Sequence, residues 1–72
     1  MTAEDSVRVK INGKDRTVPE GLHVAGLLSL LQVTGPGVAV ERNRSIVPKT
    51  NYESTPVEAG DEIEIVSFIG GG

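Results

Sequence analysis

Val7-Arg8-Val9-Lys10-Ile11-Asn12-Gly13 is the stretch that decides the architecture. Val7, Val9 and Ile11 alternate with Arg8 and Lys10, the period of a strand buried on one face. Asn12-Gly13 follows at once, and this pair favours the type I′ turn, whose twist matches a two-residue hairpin. The register this predicts sets Ile11 opposite Lys14 and puts Arg16 and Val18 on the same face of the returning strand. Val18 then joins Val7, Val9 and Ile11 in the core. Pro19-Glu20-Gly21 breaks the second strand, because Pro lacks an amide donor and Gly permits the bend.

Beyond the hairpin the period changes. Val24, Leu27, Leu28 and Leu31 stand at i, i+3, i+4 and i+7, the one-sided stripe of an amphipathic helix. The helix is expected to lie across the sheet. Leu22-His23 offers no good cap, and Gly26 costs about 1 kcal/mol relative to Ala, so packing must hold the helix. Thr34-Gly35-Pro36-Gly37 is expected to close it, with Gly in the left-handed conformation and Pro unable to continue. His23 is the single histidine and reads as a helix-start residue, because no Cys, Asp or Glu stands at metal-ligand spacing and no Ser partner is near. No metal site is expected.

Val38-Ala39-Val40-Glu41-Arg42 reads as a third strand with Val38 and Val40 inward, turned by Asn43-Arg44. Ile46-Val47 suits a brief edge strand ahead of Pro48. The polar stretch 49–56 reads as a loop with a turn of helix, pinned by Tyr52, and Val57 packs before a tight turn at Glu58-Ala59-Gly60-Asp61. In the last strand Ile63 and Ile65 share the core face, which leaves Glu62 and Glu64 in solvent. The same alternation puts Val66 and Phe68 on the solvent face, where clustered apolar side chains mark a partner site. Alternation also allows a twist or bulge that tucks Phe68 under the sheet. A hairpin, a crossing helix and later strands returning to one sheet describe an α+β β-grasp (ubiquitin-like) roll, a mixed sheet of four to five strands with one helix across one face.

Composition narrows the function classes. The chain has 72 residues, enough for one domain, and a domain of this size buries only about 60% of the surface its unfolded chain exposes. Expected boundaries are a loose leader over 1–6, the domain over 7–66 and a flexible tail over 67–72. One Phe, one Tyr, one Met and no Trp make the core aliphatic. A net charge of −3 with scattered Lys and Arg argues against nucleic-acid binding and suits docking onto a basic protein surface. The absence of cysteine excludes disulfides, thiolate nucleophiles and ferredoxin-type iron-sulfur clusters. The polar, acidic amino terminus is unlike a signal peptide and no run reaches membrane-spanning length, so no membrane association is expected and the protein reads as cytoplasmic.

The tail, Ser67-Phe68-Ile69-Gly70-Gly71-Gly72, carries the functional signal. Three glycines cost backbone entropy to order and add nothing to a core. Gly70, Gly71 and Gly72 suit threading, because a chain without side chains enters a channel closed to bulkier residues and presents its carboxylate there. No catalytic residue of its own is expected: the glycines lack the strand-to-helix context and the following Lys of a phosphate loop.

With the Asn12-Gly13 hairpin, Val40-Glu41-Arg42-Asn43, Ile46-Val47-Pro48, Gly60-Asp61, Ile63-Glu64-Ile65-Val66 and the terminal glycines, residues 7 to 72 resemble the ThiS family of thiamine-biosynthesis sulfur carriers. The resemblance implies a protein co-substrate, not an enzyme. It implies that the Gly72 carboxylate is adenylated by an E1-like partner using ATP and becomes a thiocarboxylate that delivers sulfur to thiazole synthase. A sulfur donor protein, a cysteine desulfurase or rhodanese-like, is implied as well, with no cofactor on the chain itself. The free carrier is expected to be monomeric, with Val66 and Phe68 docking on its partners. A MoaD-like small subunit of molybdopterin synthase would share fold and activation and differ in acceptor, although the Val40-to-Asn43 stretch and triple Gly look more like ThiS. A ubiquitin-like modifier would pass the Gly72 carbonyl to a target lysine. A non-covalent β-grasp interaction module, such as the RNA-associated ones, would not need the glycine terminus.

Overall fold

The computed structural model describes residues 5–33 and 35–68. Gly70, Gly71, Gly72 and the start of the expected leader lie outside the described residues. Among the described residues the strands are β1 (Ser6–Ile11), β2 (Lys14–Pro19), β3 (Val38–Arg42), β4 (Ser45–Ile46) and β5 (Glu62–Ser67), with an α-helix, α1 (Val24–Leu30), and a short 3-10 helix over Lys49–Asn51. They form one mixed sheet in the order β2-β1-β5-β3-β4, in which β1 and β5 run parallel and the other neighbours antiparallel. This is the β-grasp roll.

Asn12 and Gly13 both take positive φ, 51° and 84°, as a type I′ turn requires, and the register follows from it: Ile11 faces Lys14, Val9 faces Arg16 and Val7 faces Val18. Asn43 and Arg44, at φ 51° and 71°, repeat the device between β3 and β4. The edge strand is Ser45–Ile46, one residue earlier than the Ile46-Val47 pairing expected, and Val47 turns into the core instead.

The inner sheet face carries Val9, Ile11, Val18, Val38, Val40 and Ile63, all buried with Val24, Leu27 and Leu28 of α1 in a single cluster that Val47 and Val57 complete. Removing such an aliphatic side chain from water is worth about 1.5–3 kcal/mol, which explains why a helix of seven residues with an internal glycine persists. Its first turn has no side-chain cap. The amides of Val24 and Ala25 donate instead to the carbonyls of Thr55 and Tyr52, at 2.9 and 2.8 Å. These are among the donors that a helix start leaves unsatisfied, and the 52–55 loop supplies their acceptors.

The end of α1 corrects the sequence reading. Gly35, Pro36 and Gly37 do not stop the helix; Gln32 does, at φ 60°. The Val33 amide donates to the Leu28 carbonyl at 2.9 Å and the Gln32 amide to Ser29 at 3.0 Å, the paired bonds of a Schellman motif. Val33 packs against the core, so its burial offsets the strain of a left-handed Gln.

Candidate functional site

The site is built on β5. Ile63 is 1% exposed and Ile65 is half-buried on the inner face, while Glu62, Glu64 and Val66 project from the other. Val66 is 46% and Phe68 69% exposed, so of the two arrangements that alternation allowed, the structure takes the open one. Register brings Ala39 opposite Val66 and Ile46 opposite Glu41. Ala39, Ile46, Val66 and Phe68 line one shallow groove with Glu41 and Glu64 beside them. Ile46, 72% exposed, belongs to this apolar patch and was missed by a sequence reading that placed it in an edge strand without assigning it a face. Glu41 and Glu64 sit directly opposite each other, a like-charge pairing unfavourable to the sheet.

Polar contacts hold β5 at three points along its length. At its start Asp61 is buried, and Arg42 grips its carboxylate through Nε at 2.7 Å and one terminal nitrogen at 3.3 Å. The Glu58 amide at 2.8 Å and Asn43 Nδ2 at 3.1 Å also donate to it. Burial alone would raise the Asp61 pKa. The Glu58 amide, the Arg42 and Asn43 hydrogen bonds and the Arg42 charge together outweigh that and hold it below the usual carboxylate value. Arg42 also reaches Glu58 at 3.2 Å.

In the middle of β5, Asn12 Oδ1 accepts from the Ile65 amide at 2.7 Å and Nδ2 donates to the Ile65 carbonyl at 3.2 Å. At the end, the Phe68 amide donates to the Gly37 carbonyl at 2.6 Å. A Cβ on Gly37 would stand 2.5 Å from the Phe68 oxygen, so only glycine permits this approach. Neither contact was anticipated, because Asn12 and Gly37 read locally as turn residues; the partners lie 53 and 31 positions away in sequence.

His23 is exposed and its backbone starts α1, as expected. Among the described residues no group of three or more His, Cys, Asp or Glu is placed to hold a metal, and no helix is long and apolar enough to cross a membrane. What the described residues offer is the exposed apolar groove of Ala39, Ile46, Val66 and Phe68 with two carboxylates beside it.

Comparison with known proteins places this geometry. The chain is 47% identical over 66 residues to a thiazole synthase of Paramagnetospirillum magneticum, a match covering 92% of this chain but only 20% of that protein, so the chain spans about one fifth of that relative's length. It is 37% identical over 65 residues to the sulfur carrier protein ThiS of Bacillus subtilis, covering 89% of this chain and 98% of that one. The crystal structure of a thiamine biosynthesis protein (ThiS) from Geobacter metallireducens superposes with a TM-score of 0.79 at 38% identity, covering 92% of this chain and 100% of the other. The ThiS family model matches residues 9–72, hairpin, helix, β5 and glycines together. Together with the β-grasp sheet, this match shows that the chain belongs to the ThiS family.

Proposed function

We propose that this protein is a sulfur carrier of thiamine biosynthesis and that the sulfur rides on the Gly72 carboxylate. The observation that carries this reading is that the family match spans residues 9–72 and so takes in the glycines together with the exposed Val66 and Phe68. A carboxylate is a poor electrophile. An E1-like partner would attack the α-phosphate of ATP with it, release pyrophosphate and leave an acyl-adenylate. A nucleophile at the oxidation level of sulfide, drawn from a donor protein, then forms the carbon–sulfur bond and expels AMP. The resulting thiocarboxylate is a nucleophile at neutral pH and passes its sulfur to thiazole synthase.

Docking falls to Val66 and Phe68, with Ala39 and Ile46 extending the patch. Interface energy concentrates in a few apolar or aromatic side chains that fill partner pockets. The Glu41–Glu64 pair adds negative charge at its rim and favours a partner surface with basic groups there. The test is the intact mass of the chain after incubation with an E1-like adenylating enzyme, ATP and sulfide. Replacement of one oxygen by one sulfur, mapped to Gly72, is expected; an unchanged mass with an active partner overturns the reading.

A further inference from the structure

We propose that Asn12 and Gly37 are positioning residues that hold the end of β5 from opposite sides and so fix where Phe68 stands when the partner binds; this rests on the carrier reading. The sheet itself does not do it. On one side β1 pairs with β5 only as far as Ile11 opposite Ile63, and then the chain turns away at Asn12-Gly13. The backbone edge of Ile65 facing that side has no strand beside it. The Asn12 side-chain amide occupies the place of the missing strand, with its oxygen on the Ile65 amide and its nitrogen on the Ile65 carbonyl. On the other side β3 begins at Val38, opposite Ser67, and the Gly37 carbonyl carries the ladder one residue further to the Phe68 amide.

The turn at residues 12 and 13 does not by itself call for this amide, since glycine satisfies positive φ at least as well as asparagine. The second type I′ turn shows the same use. Asn43 Oδ1 accepts from the Glu62 amide at 2.9 Å and Asn43 Nδ2 donates to Asp61, so each turn asparagine fastens β5.

Position makes the fastening matter. Gly72 is four residues beyond Phe68, a reach of at most about 14 Å, so a partner can engage the terminus only from where Phe68 is held. Both Asn12 contacts are exposed, so their loss should cost little folding stability. The effect should fall on binding instead, because a partner must then order the strand end that Asn12 had already ordered.

The test is Asn12→Gly, which keeps the turn and removes the amide. With the E1-like enzyme and ATP, pyrophosphate exchange should show KM for the carrier raised about tenfold, the worth of one to two ordinary hydrogen bonds, with kcat within about twofold of the parent's. Amide order parameters should fall at Ile65 to Phe68 while those of β1 and α1 stay unchanged. Asn12→Asp, which keeps the acceptor but sets a second oxygen against the Ile65 carbonyl, should behave like Asn12→Gly. Equal KM and kcat in parent and variant would overturn the proposal, and so would unchanged order parameters at Ile65 to Phe68. A parent that accepts no sulfur refutes the carrier reading separately, and the order parameters still decide whether Asn12 holds the strand end.

Discussion

Gly37 and Phe68 meet backbone to backbone: the Phe68 amide donates to the Gly37 carbonyl at 2.6 Å, and a methyl group on Gly37 would come within 2.5 Å of the Phe68 oxygen. The obstacle is main chain, not the yielding end of a side chain. Gly37→Ala should therefore push the ends of β3 and β5 apart and destabilise the domain by about 1–3 kcal/mol. Chemical unfolding gives the loss, and amide shifts confined to residues 37–39 and 65–68 would locate it.

Phe68→Ala should leave the unfolding midpoint almost unmoved, within about 0.5 kcal/mol, because the ring is 69% exposed. Affinity for the adenylating enzyme or the thiazole synthase should fall by roughly 1–4 kcal/mol. A denaturation curve and a titration on the same variant check both halves. Lost stability with unchanged affinity would remove Phe68 from the docking face.

The Arg42–Asp61 pair predicts a specific acid response. Because the Asp61 pKa is lower folded than unfolded, its contribution to stability is complete well above the usual value of 3.8 and is lost as pH falls below 3.8 through the folded pKa. Arg42→Ala leaves the Asp61 carboxylate with the Glu58 amide and Asn43 as donors, and should cost roughly 1–3 kcal/mol at neutral pH. The gap between parent and variant should close in strong acid. Unfolding curves across that range measure it, and a gap independent of pH would mean that the Arg42 stem, not the ion pair, stabilises the turn.

Leu27 is fully buried and Leu28 is 7% exposed. Leu27→Ala should destabilise by about 2–5 kcal/mol, a large share of the stability of a domain this small. Leu28→Ala should cost somewhat less. Both are read from denaturation midpoints.

Glu64→Gln removes one member of the like-charged pair facing Glu41. The isolated domain should gain stability, by roughly 0.2–1 kcal/mol. Association with a basic partner surface should slow and lose part of its salt dependence. Stopped-flow association at two ionic strengths tests this.

Local pattern alone determined the hairpin register, the buried stripe of α1, the inward Ile63 and Ile65, and the glycines at Gly70 to Gly72 that pointed to the ThiS family. These are short-range properties: strand and helix periods and turn chemistry are written in neighbouring residues. Tertiary structure alone decided the rest. Pattern placed the helix end at Gly35 to Gly37, yet α1 stops at Gln32 because burying Val33 outweighs the strain of a left-handed glutamine. It found no cap at His23, because the acceptors for the Val24 and Ala25 amides come from Thr55 and Tyr52, some 30 positions on in the chain. It left Phe68 open between two arrangements, since strand parity assigns a face but not what covers that face. The fastenings of β5 by Asp61, Asn12 and Gly37 were equally invisible, because a polar side chain or a bare backbone carries no mark of a distant partner until the sheet brings the two together.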